Sequence, residues 1–149
     1  VTNGGFLEKS SMDGMRKCLV NEFSSLYIFN LRGDIRKNML SQGKAKEGQN
    51  IFGSGSMAGI AISLLVKKPT NQPQGNIFYF DVGDDLKLEE KIGRIAELSR
   101  IGGITRWQSI VPDQYGDWLN QRDESFSEHI VLGSKGRDAE KQVLFENFS

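Results

Sequence analysis

Cysteine, histidine and proline are all scarce in this chain, with one Cys, one His and three Pro among 149 residues. A single Cys18 rules out an internal disulfide, and together with the lone His129 it leaves no thiolate or imidazole set for zinc. Cys18 is read as a structural thiol in a reducing compartment. Long apolar runs are absent too. The longest, Ile60 to Val66, falls far short of the roughly 20 residues a membrane-spanning helix needs. These absences lead to the expectation of a cytoplasmic protein. Net charge is zero, and 38% apolar with 26% charged residues is an ordinary globular composition, at a length that suffices for one real core.

The charge is unevenly placed. Residues 1–75 hold ten Lys and Arg against five Asp and Glu, whereas residues 76–149 hold nine against fourteen. The first half is therefore the candidate nucleic-acid face. Within it, Leu31 to Asn50 carries Arg32, Arg36, Lys37, Lys44 and Lys46 against only Asp34 and Glu47, interspersed with Gly33, Gly43 and Gly48. A glycine-rich loop of that length in a compact domain is uncommon unless it works. Two readings are open: a grip on phosphate backbone, or a solvated loop whose five cations make a modest patch.

The pattern along the chain is that of an α/β fold. Val1 to Asn3 reads as the end of a parallel strand, followed by a turn at Gly4-Gly5. Ser10 or Ser11 can then cap a helix with Met12, Met15, Leu19 and Phe23 on one face. Leu26 to Asn30 is a strand, so the order predicts a βαβ crossover. Gly59 to Lys68 is a strand apolar on both phases, hence buried on both faces. After a turn over Pro69 to Gly75, Ile77 to Val82 resumes as a strand, and a hairpin between the two is the expected pairing. Asp84 or Asp85 is the expected cap of a helix through Ser99, with Leu88, Ile92, Ile95 and Leu98 on its apolar face. Ile104 to Val111 reads as a strand and Asp117 to Asn120 as the start of a short helix. The boundaries expected are a first unit at 1–103 and an extension at 104–149. The opening Val1-Thr2-Asn3 and the apolar Val143-Leu144-Phe145 near the end suggest an excised piece of a longer polypeptide.

Several chemistries are disfavoured. Gly53-Ser54-Gly55-Ser56 has no Lys-Ser/Thr pair after it and leads into a strand, against a phosphate loop. His129 lies outside any Gly-x-Ser-x-Gly elbow. Asp84 and Asp85, and Glu89 and Glu90, fit a helix cap and a solvated helix face better than metal ligands, so no metal is expected. Trp107, Tyr115 and Trp118 could form a stacking platform but in an acidic region fit a core or domain contact better.

The motif Asn50-Ile51-Phe52-Gly53-Ser54-Gly55-Ser56 with its following strand carries a family resemblance, together with Val1-Thr2-Asn3-Gly4-Gly5-Phe6-Leu7 and Met15-Arg16-Lys17. So do Leu26 to Gly33, Ile110-Val111-Pro112-Asp113, Gly116-Asp117-Trp118-Leu119 and Gln121-Arg122. Over most of its length the chain resembles the second half of a gamma-class adenine amino-methyltransferase, more narrowly the methylase region of large single-chain restriction-modification proteins that also carry a helicase and a nuclease. The resemblance implies a partial Rossmann-like methyltransferase sheet, mixed and built from its C-terminal strands, with flanking helices. It implies S-adenosylmethionine as cofactor of the parent protein but not of this stretch. The family's Phe-x-Gly-x-Gly donor fingerprint and Asn-Pro-Pro-Tyr type motif are both missing here. Without acceptors to bind both hydrogens of the target amine, the stretch is expected to be inactive alone. The implied partners are double-stranded DNA, the missing N-terminal half of the methylase and neighbouring domains.

By the same resemblance, an aromatic ahead of the seventh strand packs against the target adenine turned out of the duplex, and Phe52 occupies that stretch. Stacking restores on the order of 1 to 3 kcal/mol to an unstacked base. Asn3, at the carboxyl end of the inferred strand, and Gly53 are the further candidates for that pocket, with an ordinary Asn-Gly-Gly turn as the equal competing reading at Asn3; Arg32, Arg36, Lys37, Lys44 and Lys46 are the candidates for the DNA backbone. A core role for Phe52 at a strand start is the competing reading. At the level of the whole chain, the alternative is a non-catalytic DNA-binding or inter-domain module.

Overall fold

The computed structural model describes residues 1–68, 75–121, 125, 131–133 and 143–145. Its centre is a mixed sheet of five strands: β1 (Thr2–Asn3), β2 (Ser25–Asn30), β3 (Ile60–Val66), β4 (Asn76–Asp81) and β5 (Gln108–Ile110). Their spatial order is β1-β3-β2-β4-β5, so the chain is α/β with a mixed sheet, as expected. β2 lies near the middle because Leu26-Tyr27-Ile28-Phe29 suits both faces of a pleat. It pairs antiparallel with β3, Asn30 opposite Ala61, and parallel with β4, Asn30 opposite Asp81.

Two pairing expectations fail for one reason. β1 and β2 do run the same way, yet β3 is inserted between them and pairs antiparallel with each, so the first crossover does not join neighbours and β1 has no parallel partner. β3 and β4 form no hairpin, because β2 occupies the place between them and takes the hydrogen bonds of both. Pairing is decided by which edges are free when the sheet assembles, and no single-strand pattern reports that.

Both faces of the sheet are covered. Leu26, Ile28 and Ile77 point to one side, packed with Phe6, Leu7, Val20 and Trp118 under helix α1 (Asp13–Glu22). Phe29, Leu31, Ile60, Val82 and Ile104 form the opposite core under helix α3 (Leu88–Leu98). Each fully buried Leu or Ile contributes roughly 1.5 to 3 kcal/mol, and the layer order follows from sheet faces that alternate in apolar side chains. β3 is buried on both phases only at its start, since Leu64 is half exposed.

The helices form where expected but present different faces. In α1 the buried residues are Arg16 and Val20, while Met12 and Met15 are exposed, so the stripe is turned toward a buried arginine. No serine caps α1, because Ser10–Met12 is a 3-10 turn that runs into it. Cys18 is exposed, which removes the structural-thiol reading. The cap of α3 is Lys87, whose N–H donates to Glu90 Oε2 at 2.7 Å, and neither Asp84 nor Asp85 serves. Lys91, fully buried, replaces Ile92 on the inner face, and Ile92 is exposed. The expected loop of 31–50 contains a short helix, α2 (Ile35–Leu40), capped by Asp34 Oδ1 accepting from Lys37 N.

No helix starts at Asp117, and residues 118–120 form bends, because Asp113 Oδ1 draws in the N–H groups of Tyr115 and Asp117. Trp118 is in the core with its ring edge-on to Phe6, and Trp107 packs edge-on to Tyr27 and Phe80, so the tryptophans make no stacking platform. Strands β6 (Val131–Gly133) and β7 (Val143–Phe145) pair in parallel as a separate two-stranded sheet. The turn expected over Pro69 to Gln74, and His129, lie outside the described residues. Among the described residues no helix is long and apolar enough to cross a membrane.

Candidate nucleic-acid interface

β1, β2 and β4 end on the side of the sheet where β3 begins, so four chain segments meet there. Backbone hydrogen bonds knit them together: Gly4 N–H to Gly59 O at 2.7 Å, Leu31 N–H to Ile60 O and Ile60 N–H to Arg32 O, both at 2.9 Å. Carboxyl ends of strands are where open α/β sheets hold ligands. The structure brings Asn3, Arg32, Gly53 and Phe52 to this one end.

The basic segment is largely engaged with the protein itself. Arg32 sits in the left-handed region at φ 54°, and its Nε donates to both oxygens of Asp81 at 2.8 and 3.0 Å, while Nη1 contacts Asp84 at 3.0 Å. Burial works against the charge of Arg32, but the hydrogen bond and attraction of Asp81, with Asp84 and Glu47, outweigh it and raise its pKa. Lys37 Nζ reaches Glu8 at 2.8 Å and Glu47 at 3.2 Å, and its pKa is likewise raised: burial opposes, the Glu8 hydrogen bond prevails. Lys46 Nζ contacts Asp84 at 3.0 Å. Arg36 and Lys44 are exposed and enter no ion pair among the described residues. Of five candidate backbone cations, three are thus part of an internal network.

That network has a pH signature. The hydrogen bond from Lys46 lowers the pKa of Asp84 from its ordinary 3.8, with Lys46 and Arg32 attraction adding to it. A carboxylate with a depressed folded pKa adds stability above its unfolded value that disappears as pH falls through the folded one. The difference in melting temperature between wild type and Asp84→Asn is therefore expected to be constant above pH 3.8 and to shrink below it; a constant difference down to the lowest pH would contradict the pairing. Tyr79, buried in the same network, accepts from Asn30 Nδ2 and donates to Asp81 Oδ2, both at 2.9 Å, and burial pushes its pKa above the ordinary phenol range.

Two residues that sequence reasoning passed over hold this end together. Lys91 Nζ donates to the backbone carbonyls of Leu31, Glu47 and Gln49 at 2.7, 3.0 and 2.7 Å. Burial draws its pKa below the ordinary lysine range. A cation three residues after Leu88 and four before Ile95, on an otherwise apolar stripe, was the available signal. Asn50, 2% exposed, donates through Nδ2 to Gly33 O at 2.9 Å and Ala58 O at 2.7 Å, and its Oδ1 accepts from Phe52 N at 2.9 Å. Gly33, at φ 84°, is required here, since a Cβ would come within 2.8 Å of Asn50 Cα.

Phe52 follows that anchor and is 59% exposed, which removes the core reading. Among the described residues its ring contacts no other aromatic ring. Gly53 opens a 3-10 turn at φ 61° and lines a cleft of about 520 Å³ with Ile35, Asn50, Ser56, Met57 and Leu88. Asn3 Oδ1 accepts from Gly5 N at 2.8 Å and so shapes the turn after β1. No cluster of potential metal ligands occurs among the described residues.

Over 90% of its length the chain aligns with the DNA-bound structure of the ATP-dependent Type ISP restriction-modification enzyme LlaBIII, at 41% identity and a TM-score of 0.81. This chain is similar to a segment of the Type ISP restriction-modification enzymes. A nuclease-deletion mutant of the Type ISP enzyme LlaGI, in complex with a DNA substrate mimic, matches over 91% of the chain at 42% identity and a TM-score of 0.77. The DrdV–DNA complex matches 97% at 24% identity and a TM-score of 0.74, a likeness of fold. The chain spans 9% of the LlaBIII chain, 12% of the LlaGI chain and 14% of the DrdV chain. No family model and no curated protein matches it.

Proposed function

We propose that this chain is the C-terminal half of the DNA adenine methyltransferase unit of a restriction-modification protein of the Type ISP kind, where it forms one wall of the pocket for an extrahelical adenine and contacts the DNA backbone. The observation that carries this is Phe52, an exposed aromatic with no ring partner among the described residues, on a braced loop at the carboxyl end of the parallel strands, in a chain about two-fifths identical to segments of two DNA-bound enzymes. Asn3 and Gly53 flank the same end. Assigning the methyl donor elsewhere is supported by two features of the described residues: the glycine turn after β2 is closed by Asn50, and the turn at Gly53 leads into β3, not a helix. The donor is assigned to the rest of the polypeptide, as are helicase and nuclease activities, and the isolated chain is not expected to transfer methyl groups.

The test is Phe52→Ala in the full-length protein. Loss of a stacking face worth about 1 to 3 kcal/mol corresponds to a fall of about 5- to 150-fold in methyl transfer to unmethylated DNA, with unchanged melting temperature. Wild-type turnover in a folded variant would end the reading. For the backbone contact, Arg36 and Lys44 are favoured over the internally paired Arg32, Lys37 and Lys46. Arg36→Ala and Lys44→Ala are each expected to reduce the slope of log affinity against log salt by about 1. An unchanged slope in both would place the phosphate contacts elsewhere.

A further inference from the structure

The stretch from Asn50 to Ala58 leaves the protein and returns to it over a narrow neck, and one side chain closes that neck. The Asn50 amide uses both ends: Nδ2 donates across the neck to Ala58 O at 2.7 Å and down to Gly33 O at 2.9 Å, and Oδ1 accepts from Phe52 N at 2.9 Å. The backbone adds Gly53 N–H to Asn50 O at 3.0 Å. Asn50 itself and its bond to Gly33 are buried from solvent, while Phe52, two residues on, is mostly exposed. A buried, doubly donating amide is a rigid joint, because losing any of its partners would strand a desolvated polar group.

We propose that Asn50 is a positioning residue for base capture: it does not touch the base but fixes the height and direction of Phe52 over it. This rests on the reading of Phe52 as the pocket wall. An exposed aromatic on a slack loop would fold down onto the neighbouring apolar residues of the cleft, such as Ile35 and Met57. Stacking requires the ring to wait in place, since ordering the loop on binding would consume the energy the stack supplies. No alternative acceptor at position 50 reproduces both functions. Asp keeps an acceptor for the Phe52 amide and loses both donations; Ser keeps an acceptor but has one O–H on a shorter side chain, so at least one donation is lost; Ala loses all three.

The experiment is a double-mutant cycle of Asn50→Ser and Phe52→Ala in the full-length protein, with methyl transfer from labelled S-adenosylmethionine to unmethylated genomic DNA. Alongside it, hydrogen exchange is followed at the amides of residues 52–58 and of β2. Asn50→Ser is expected to lower kcat about 5- to 50-fold with KM for DNA within about twofold. The double variant should be no worse than Phe52→Ala, because the two act as a unit. Exchange at Phe52 should rise at least about tenfold while β2 is unchanged. A normal kcat for Asn50→Ser, or losses that multiply in the double variant, would overturn the positioning role while leaving the Phe52 reading intact. A normal kcat for Phe52→Ala removes that reading and this inference with it. Should Asn50→Ser fail to fold, the unmodified protein decides: Phe52 exchanging as fast as Ser54 would show that no such joint exists, and tenfold protection would support it.

Discussion

Arg16→Met is expected to lower unfolding free energy by about 3 to 5 kcal/mol. Arg16 is fully buried on the inner face of α1, and its guanidinium joins three separate segments. Nε donates to Gly116 O at 2.8 Å, Nη1 to Phe6 O at 2.9 Å and Lys9 O at 2.8 Å, and Nη2 pairs with the Asp117 carboxylate. Methionine matches the length but supplies no donor. It would leave the carbonyls and a buried carboxylate short of the cation that compensated their desolvation. Lysine is a poor substitute, because one ammonium cannot spread over the four acceptors that a planar fork reaches. Urea denaturation followed through Trp118 fluorescence measures the effect, since Trp118 packs beside this pair in the core. Arg16→Met combined with Asp117→Leu should recover part of the loss, because the carboxylate is no longer buried without its guanidinium, while the carbonyls of Phe6 and Gly116 still lack that donor. A loss below about 1 kcal/mol for the single change would mean that the guanidinium holds nothing together.

Lys91→Met is expected to cost about 2 to 4 kcal/mol and to loosen the candidate interface before the core. Its ammonium is the donor to Leu31 O and Gln49 O, for which no other donor is found among the described residues, whereas Glu47 O also accepts from Gly33 N–H at 3.1 Å. Two stranded carbonyls at about 1 to 3 kcal/mol each set the range, reduced by water entering once the segment gives way. The three carbonyls lie at both ends of the basic segment, so α3 clasps the entry and exit of residues 31–49 with one side chain. Amide exchange should therefore quicken at Gly33 and Gln49 well ahead of β2. Equal acceleration throughout would indicate global destabilisation instead of a local clasp.

The two residues with the largest expected effects were also the hardest to read from the sequence. Helix α1 shows methionines and leucines at helical spacing, and a hydrophobic stripe is the natural reading of Met12, Met15 and Leu19. An arginine inside a helix is far more often solvated than buried, and nothing local tells that Gly116 and Asp117, about a hundred positions away, will supply two of its four acceptors. The same holds for Lys91 and for Asn50, whose partner Gly33 is distant in sequence. The fate of the basic segment was hidden for the same reason. Its charges were visible, but Asp81 and Asp84, which neutralise Arg32 and Lys46, arrive from β4 and the turn after it.

What the sequence determined by itself is what depends on neighbours along the chain. The apolar and β-branched run at Leu26 to Asn30 made a central strand, the periodicity after Leu88 made a helix, and the glycine-loosened stretch before Ile60 set an aromatic at a strand mouth. Each of these follows from backbone geometry and the alternation of a few adjacent side chains. Tertiary structure alone decided that β3 lies between β1 and β2, that three of five cations pair with carboxylates of the protein itself, and that Phe52 stands exposed while Asn50 beneath it is buried. Strand order and the pairing of buried polar groups are settled by long-range competition for edges and acceptors, and a one-dimensional pattern does not record which competitor wins.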